Sequence, residues 1–113
     1  MIDVKVTRDE AHEIVEITLT GHAGAGKLGE DIVCAAVSAV SFGNLNAVHL
    51  LLGTVPDVQT LPQEGGFLRW SLHPLEDASL HEKQQLLAES MIIALVAIAQ
   101  QYGKYIRVSD NKW

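Results

Sequence analysis

Ile2, Val4 and Val6 alternate with polar neighbours at the start of the chain. A period of two belongs to a strand with one face in a core and the other in water, so this stretch predicts a half-buried strand. Residues 7–13 are polar and suit a turn. Ile14–Thr20 follows with Ile17 and Leu19 on one face and predicts a second strand. The short connection makes the pair an antiparallel hairpin.

The pattern then breaks. Gly21, Gly24, Gly26 and Gly29 fall within residues 21–30, a density that reads as a mobile loop with a task. Asp31 is an N-cap residue type, and Ile32–Leu52 after it has no proline and is rich in Ala, Val and Leu. These features predict a long helix that starts at the Asp31 cap and ends at Gly53. Its first half is apolar all round, which calls for deep burial or a partner subunit.

Residues 54–66 hold two prolines and two glycines and read as a loop, and residues 67–72 as a strand. Ser79 and Glu82 have capping-box spacing and predict the start of a second helix. Leu80, Leu87, Met91, Leu95, Ile98 and Tyr102 lie along one face of it, and Gly103 stops it. Residues 105–109 make a last strand. The predicted order is ββαβαβ: an α+β domain over residues 1–113, two helices packed on a small mixed or antiparallel sheet. The strand order within the sheet does not follow from the pattern.

Composition narrows the function. With 113 residues, 48% of them apolar, the chain suits one compact domain. Its net charge is -6 and Lys and Arg form no run, which argues against a nucleic-acid partner, since a phosphate backbone needs clustered cations. A single cysteine allows no internal disulfide and suits a reducing cytoplasm. The N-terminus lacks the apolar segment of a signal peptide, and the apolar stretch 91–99 is too short to span a bilayer, so no membrane is expected. No HExxH or CxxC pattern occurs, and neither a metal nor another cofactor is expected.

The candidate chemistry sits at the junction of the second strand, the loop and the first helix. His22 follows the strand, and Cys34 falls about three residues past the Asp31 cap, in the predicted helix's first turn. There, free N–H groups and the positive end of the helix favour a thiolate, and the same N–H groups suit an oxyanion. His22 is within reach once the loop folds back. Asp31 has three readings: a cap, an orienter of His22, or a substrate contact. Ser38 lies one turn after Cys34 on the same face. Among the other histidines, His12 is on the order of 30 Å away along an extended strand. His49 is roughly 22 Å down the helix. His73 and His81 flank a loop.

Blander readings stand beside this one. By base rate a Cys between Val33 and Ala35 is a small buried residue, in which case the chain is a non-enzymatic adaptor. Gly21, Gly26 and Lys27 match most of a phosphate-binding loop and suggest a nucleotide- or anion-binding module. Leu28 stands where that motif needs Ser or Thr, and the flanking strands form an antiparallel hairpin.

Gly21-His22-Ala23, the Gly-rich spacer with Gly24, and Gly29-x-Asp31-Ile32-Val33-Cys34-Ala35-Ala36-Val37-Ser38 together resemble the signature of the ribosomal-processing cysteine protease family Prp. The resemblance runs the length of the chain. It implies a cytoplasmic endopeptidase that removes a short N-terminal extension from the large-subunit ribosomal protein numbered twenty-seven, cutting after an aromatic residue. It further implies a His22–Cys34 pair, a supporting loop with Gly21, Ala23, Gly24, Gly29, Asp31 and Ser38, a homodimer, and a ribosomal-protein precursor as partner.

Overall fold

The computed structural model describes residues 1–21, 28–61 and 66–112, with residues 28–31 described as backbone only. The elements are β1 (Ile2–Arg8), β2 (Ile14–Thr20), α1 (Leu28–Leu52), β3 (Asp57–Thr60), β4 (Phe67–Ser71), α2 (Ala78–Gln101) and β5 (Ile106–Asp110). The expected α+β arrangement of two helices on a mixed sheet is present, with one short strand, β3, added inside the segment read as a loop.

The sheet order is β3-β4-β2-β1-β5. β1 pairs antiparallel with β2, β2 with β4, and β3 with β4, while β5 runs parallel to β1. It follows that β2 is parallel to β3 and β4 is parallel to β5. Each helix is therefore a crossover between parallel strands: α1 passes over β4, and α2 passes over β2 and β1. A half-turn in the plane of the sheet exchanges the two units, so crossovers of one hand place both helices on the same face.

That face holds the core. Val4, Val6, Ile17, Leu68, Trp70 and Ile106 from the strands meet Val33, Val37, Leu45 and Val48 of α1 and Ala88, Met91, Ile92 and Leu95 of α2. The opposite face is polar, with ion pairs Arg107–Asp3 and Arg69–Glu16 across neighbouring strands. The alternation in β1 is the expected one and extends to Arg8, also buried.

In β2 the parity shifts. Arg8 faces Ile14 and Thr7 faces Glu16, which leaves Val15 as the extra residue of a bulge. Ile14 and Ile17 are thereby both fully buried. The amide side chain of Gln85 acts as a ladder partner at the bulge: Ile14 N donates to its Oε1 at 2.9 Å, and its Nε2 donates to Ile14 O at 2.8 Å.

Both helix starts differ from expectation. α1 begins at Leu28, so Asp31 lies inside it and is not its cap. Residues 28–31 contain no proline and one glycine, too little to delay the helix once it can form upstream. α2 is capped by Asp77, whose Oδ1 accepts from Leu80 N at 3.0 Å, and not by Ser79. Asp is as good a cap as Ser, and here it comes two residues earlier. At the far ends, Gly53 closes α1 at φ +69 with its N–H on His49 O, and α2 stops at Gln101, just before the expected Gly103.

Of the two expected alternatives, deep burial holds in the single chain for only one stripe of α1. Val33, Val37, Ser41, Leu45 and Val48 form a single buried stripe, while Ile32, Phe42, Leu50 and Leu51 are exposed. By length and composition alone Ile32–Leu52 could cross a bilayer. In the fold, its stripe is part of the core.

Candidate active site

α1 leans over the end of the sheet where β2 stops and β4 begins, and a cleft of about 310 Å³ opens between them. One wall is α1, through Cys34, Val37, Ser38, Ser41 and Phe42. The other comprises Leu19, Thr20 and Gly21 at the end of β2, Gly66, Phe67 and Leu68 at the start of β4, and Ile2. The lining is mostly apolar, with a thiol and three hydroxyls among it, a composition typical of a site that buries a side chain and orients it with few polar groups.

Cys34 is half-buried and faces this cleft, so it is not sealed in the core. The position of α1 changes its electrostatic setting. With the helix starting at Leu28, Cys34 is in the second turn, not the first. Its N–H belongs to the i→i−4 ladder, and the free N–H groups lie upstream of it. The helix dipole acts mainly on the first turn. The expected oxyanion donors at residue 34 are therefore already engaged. Ser38 lines the cleft one turn after Cys34, as its spacing predicts, and is exposed.

Gly21 anchors the other wall. Its φ is +92, and its N–H donates to Gly66 O at 2.8 Å. A Cβ here would overlap the carbonyl oxygen of Met1. The chain thus passes β1 too closely for any side chain, and β2 is pinned to the start of β4 just where it leaves the sheet. The next residue is His22. His22, Ala23, Gly24, Gly26 and Lys27 lie outside the described residues, as does the side chain of Asp31, whose backbone, like that of Gly29, falls within α1.

None of the other four histidines lines the cleft. His73 bonds Asp57 at 2.7 Å. Leu75 N donates to Nδ1 of His81, which leaves Nε2 to donate to the Glu13 carboxylate at 3.1 Å. His12 and His49 are exposed on the turn after β1 and near the end of α1. Among the described residues no group of three or more His, Cys, Asp or Glu is arranged to hold a metal. The strand before the Gly-rich segment is antiparallel to both of its neighbours, unlike the parallel strand that precedes a phosphate-binding loop.

Several cleft residues were not singled out in sequence. Ser41 and Phe42 were within reach of the argument, since they continue the Cys34–Ser38 face by another turn. Ile2, Thr20 and Phe67 carried no signal, because they meet only through the sheet order. Ser41 is 2% exposed, and its hydroxyl has no hydrogen-bond partner among the described residues.

The chain has clear relatives. Residues 1–107 match the family described as cysteine protease Prp. The ribosomal processing cysteine protease Prp of Bacillus subtilis (strain 168) is 36% identical over 111 residues, 98% of this chain and 98% of that one. The protein of the same name from Staphylococcus aureus (strain Mu50) is 32% identical over 109 residues, 96% of this chain and 98% of its own. The crystal structure of S. aureus Prp with a substrate peptide superposes with a TM-score of 0.83 at 31% identity, covering 98% of this chain and all of that one. The same protease with a covalently linked product peptide gives 0.80 at 30% identity and covers 98% of this chain. The chain belongs to the cysteine protease Prp family, and it is a cysteine protease.

Proposed function

We propose that this protease removes the N-terminal extension of the large-subunit ribosomal protein numbered twenty-seven, with Cys34 as nucleophile and His22 as its base. One placement carries the reading: Cys34 and Gly21, the residue before His22, are walls of a single cleft. The S. aureus relative takes a substrate peptide and, in another crystal, a covalently linked product peptide. An extended peptide across the cleft mouth would leave one side chain inside. Phe42 and Phe67, with Ile2, Leu19, Val37 and Leu68, suit an aromatic one.

The chemistry follows from a thiol and an imidazole. The imidazole takes the Sγ proton, and the thiolate attacks the scissile carbonyl carbon. The C=O π pair moves to oxygen and then returns, breaking the C–N bond while the imidazolium protonates the leaving amine. Water then attacks the thioester, gives its proton to the imidazole, and frees the new carboxylate and the thiol. No metal, cofactor or nucleic acid enters this scheme.

The enzyme works in the cytoplasm as a homodimer in this reading. Ile32, Phe42, Leu50 and Leu51 leave an apolar face on α1 that a second copy would cover, and Leu50 is 78% exposed in the single chain. Sedimentation equilibrium of the native chain and of Leu50→Glu tests this, with a monomeric native chain as the contrary result.

The function is tested by incubating the protein with a synthetic extension peptide and weighing the products. Native protein yields two fragments, while Cys34→Ala and His22→Ala, each still folded by circular dichroism, yield none. Cleavage retained in either variant rejects the assignment.

A further inference from the structure

The start of α1 leaves a thiol protease without the backbone donor its nucleophile would ordinarily sit beside. Six residues of helix precede Cys34, so its amide is spent on the ladder. The Gly21 amide, across the cleft, is spent on Gly66 O. An oxyanion formed at Cys34 still needs a donor about 2.7–3.1 Å away in a water-poor site. Among the described residues lining the cleft, Thr20, Ser38 and Ser41 offer hydroxyl donors.

Geometry selects among them. Ser41 is two turns from Cys34, about 10 Å along the helix axis. Thr20 belongs to the facing wall. Ser38 is at i+4, with its Cβ about 5–6 Å from that of Cys34. Side chains on a helix tilt toward its N-terminus, so Ser38 leans toward the thiol. Its side chain is exposed in the cleft lining, where a bound peptide can reach it.

We infer that Ser38 is a catalytic residue: its hydroxyl donates to the oxyanion formed when Cys34 attacks the peptide carbonyl. This rests on the proposed role of Cys34 as nucleophile. As Sγ bonds to the carbonyl carbon, the C=O π pair moves to oxygen, and that oxygen falls into the gap between Cys34 and Ser38. Ser38 keeps its proton throughout. It offers a hydrogen bond that strengthens as charge develops and relaxes when the C=O re-forms and the amine departs. The ground-state carbonyl gains little from it, so the effect falls on kcat and not on KM.

The test separates oxyanion binding from an effect on the thiol. Ser38→Ala should lower kcat for the extension peptide about 10²-fold with KM within about twofold. Alkylation of Cys34 by iodoacetamide, a displacement at saturated carbon that forms no oxyanion, should keep its rate across pH. A peptide aldehyde, which adds Sγ to form a tetrahedral hemithioacetal, should bind Ser38→Ala about 10²-fold more weakly, and Ser38→Thr should recover part of the loss. An unchanged kcat, or an alkylation rate that falls in step with it, overturns the inference. If the native chain leaves the extension peptide uncut, the substrate assignment fails on its own. The aldehyde series then still decides Ser38, because equal affinity for native and Ser38→Ala removes it.

Discussion

The carbonyl oxygen of Met1 occupies the space that a Cβ on residue 21 would need. Gly21 also holds φ at +92, a region closed to most side chains, and donates its N–H to Gly66 O. Two backbones and a left-handed bend thus demand glycine here on steric grounds, with no appeal to a phosphate. Gly21→Ala should therefore cost about 1–3 kcal/mol of stability. It should also lower peptide cleavage by far more than it lowers Cys34 alkylation, because residue 21 sets where the chain leaves the sheet toward His22. Urea unfolding and the two rates measured side by side check this. A Gly21→Ala protein of native stability and native cleavage would contradict it.

The parts of this fold that were legible in sequence are those set by neighbours in the chain. β1 and the β1–β2 hairpin follow from alternation and a short polar turn, and Ser38 follows Cys34 by helical spacing. The errors arose where two local signals compete. Asp31 looks like a cap but sits inside α1, and Ser79–Glu82 looks like a capping box but yields to Asp77. In each case the helix began earlier, because nothing in the preceding residues forbade it and propagation is easier than nucleation. β3 was lost for a different reason. Its four residues are mostly exposed and exist as a strand only because β4 is beside them. The second wall of the cleft has the same origin. Ile2, Thr20 and Phe67 come from three separate strands, and only the sheet order makes them neighbours.

His12 is the one non-glycine residue with positive φ among the described residues, at +66. It closes the turn after β1: its N–H donates to Asp9 O at 3.0 Å and its carbonyl accepts from Arg8 Nη1 at 2.9 Å. A left-handed residue with a Cβ costs about 1–2 kcal/mol. Glycine removes that cost but adds about 0.5–1 kcal/mol of chain freedom to be lost on folding. His12→Gly should then stabilise the protein by about 0.5–1 kcal/mol, read as a higher urea midpoint at constant slope. His12→Val should move the midpoint the other way, and a Gly variant weaker than the Val variant would contradict the account.

Arg8 ties the other end of the sheet to α2. Its side chain is 3% exposed and donates to Asp110, to Glu89 and to the His12 carbonyl, so every N–H of the guanidinium is directed at an acceptor. Those partners hold its pKa well above the ordinary arginine value: its hydrogen bonds to Asp110 and then to Glu89 outweigh burial. Removing one side of a buried pair leaves the other charge stranded, at a cost of about 3–5 kcal/mol. Arg8→Met should show a loss of that size, and Arg8→Met combined with Asp110→Asn should recover part of it, because no lone carboxylate remains buried. A double variant no more stable than Arg8→Met would show that the charge on Asp110 is not the source of the cost.

The same pair makes stability depend on acid. Burial is the largest single influence on Asp110 and pushes its pKa up. The hydrogen bond from Arg8, the Lys112 N–H at 3.0 Å and the positive charges of both residues together outweigh it, so the net value lies below the ordinary one. The folded state therefore binds the Asp110 proton less readily than the unfolded chain, where the pKa is about 3.9. Above that value both states carry a charged Asp110 and its contribution to stability is complete. As pH falls below it, the unfolded chain takes the proton first, stability declines, and the contribution is gone once pH has dropped through the folded value. Asp110→Asn has no such proton to gain. The stability gap between native protein and Asp110→Asn should accordingly be flat from neutral pH down to about pH 5 and should narrow steadily below pH 4. Urea unfolding of both proteins across that range measures it, and a gap that widens on acidification would show that burial, not Arg8, controls this carboxylate.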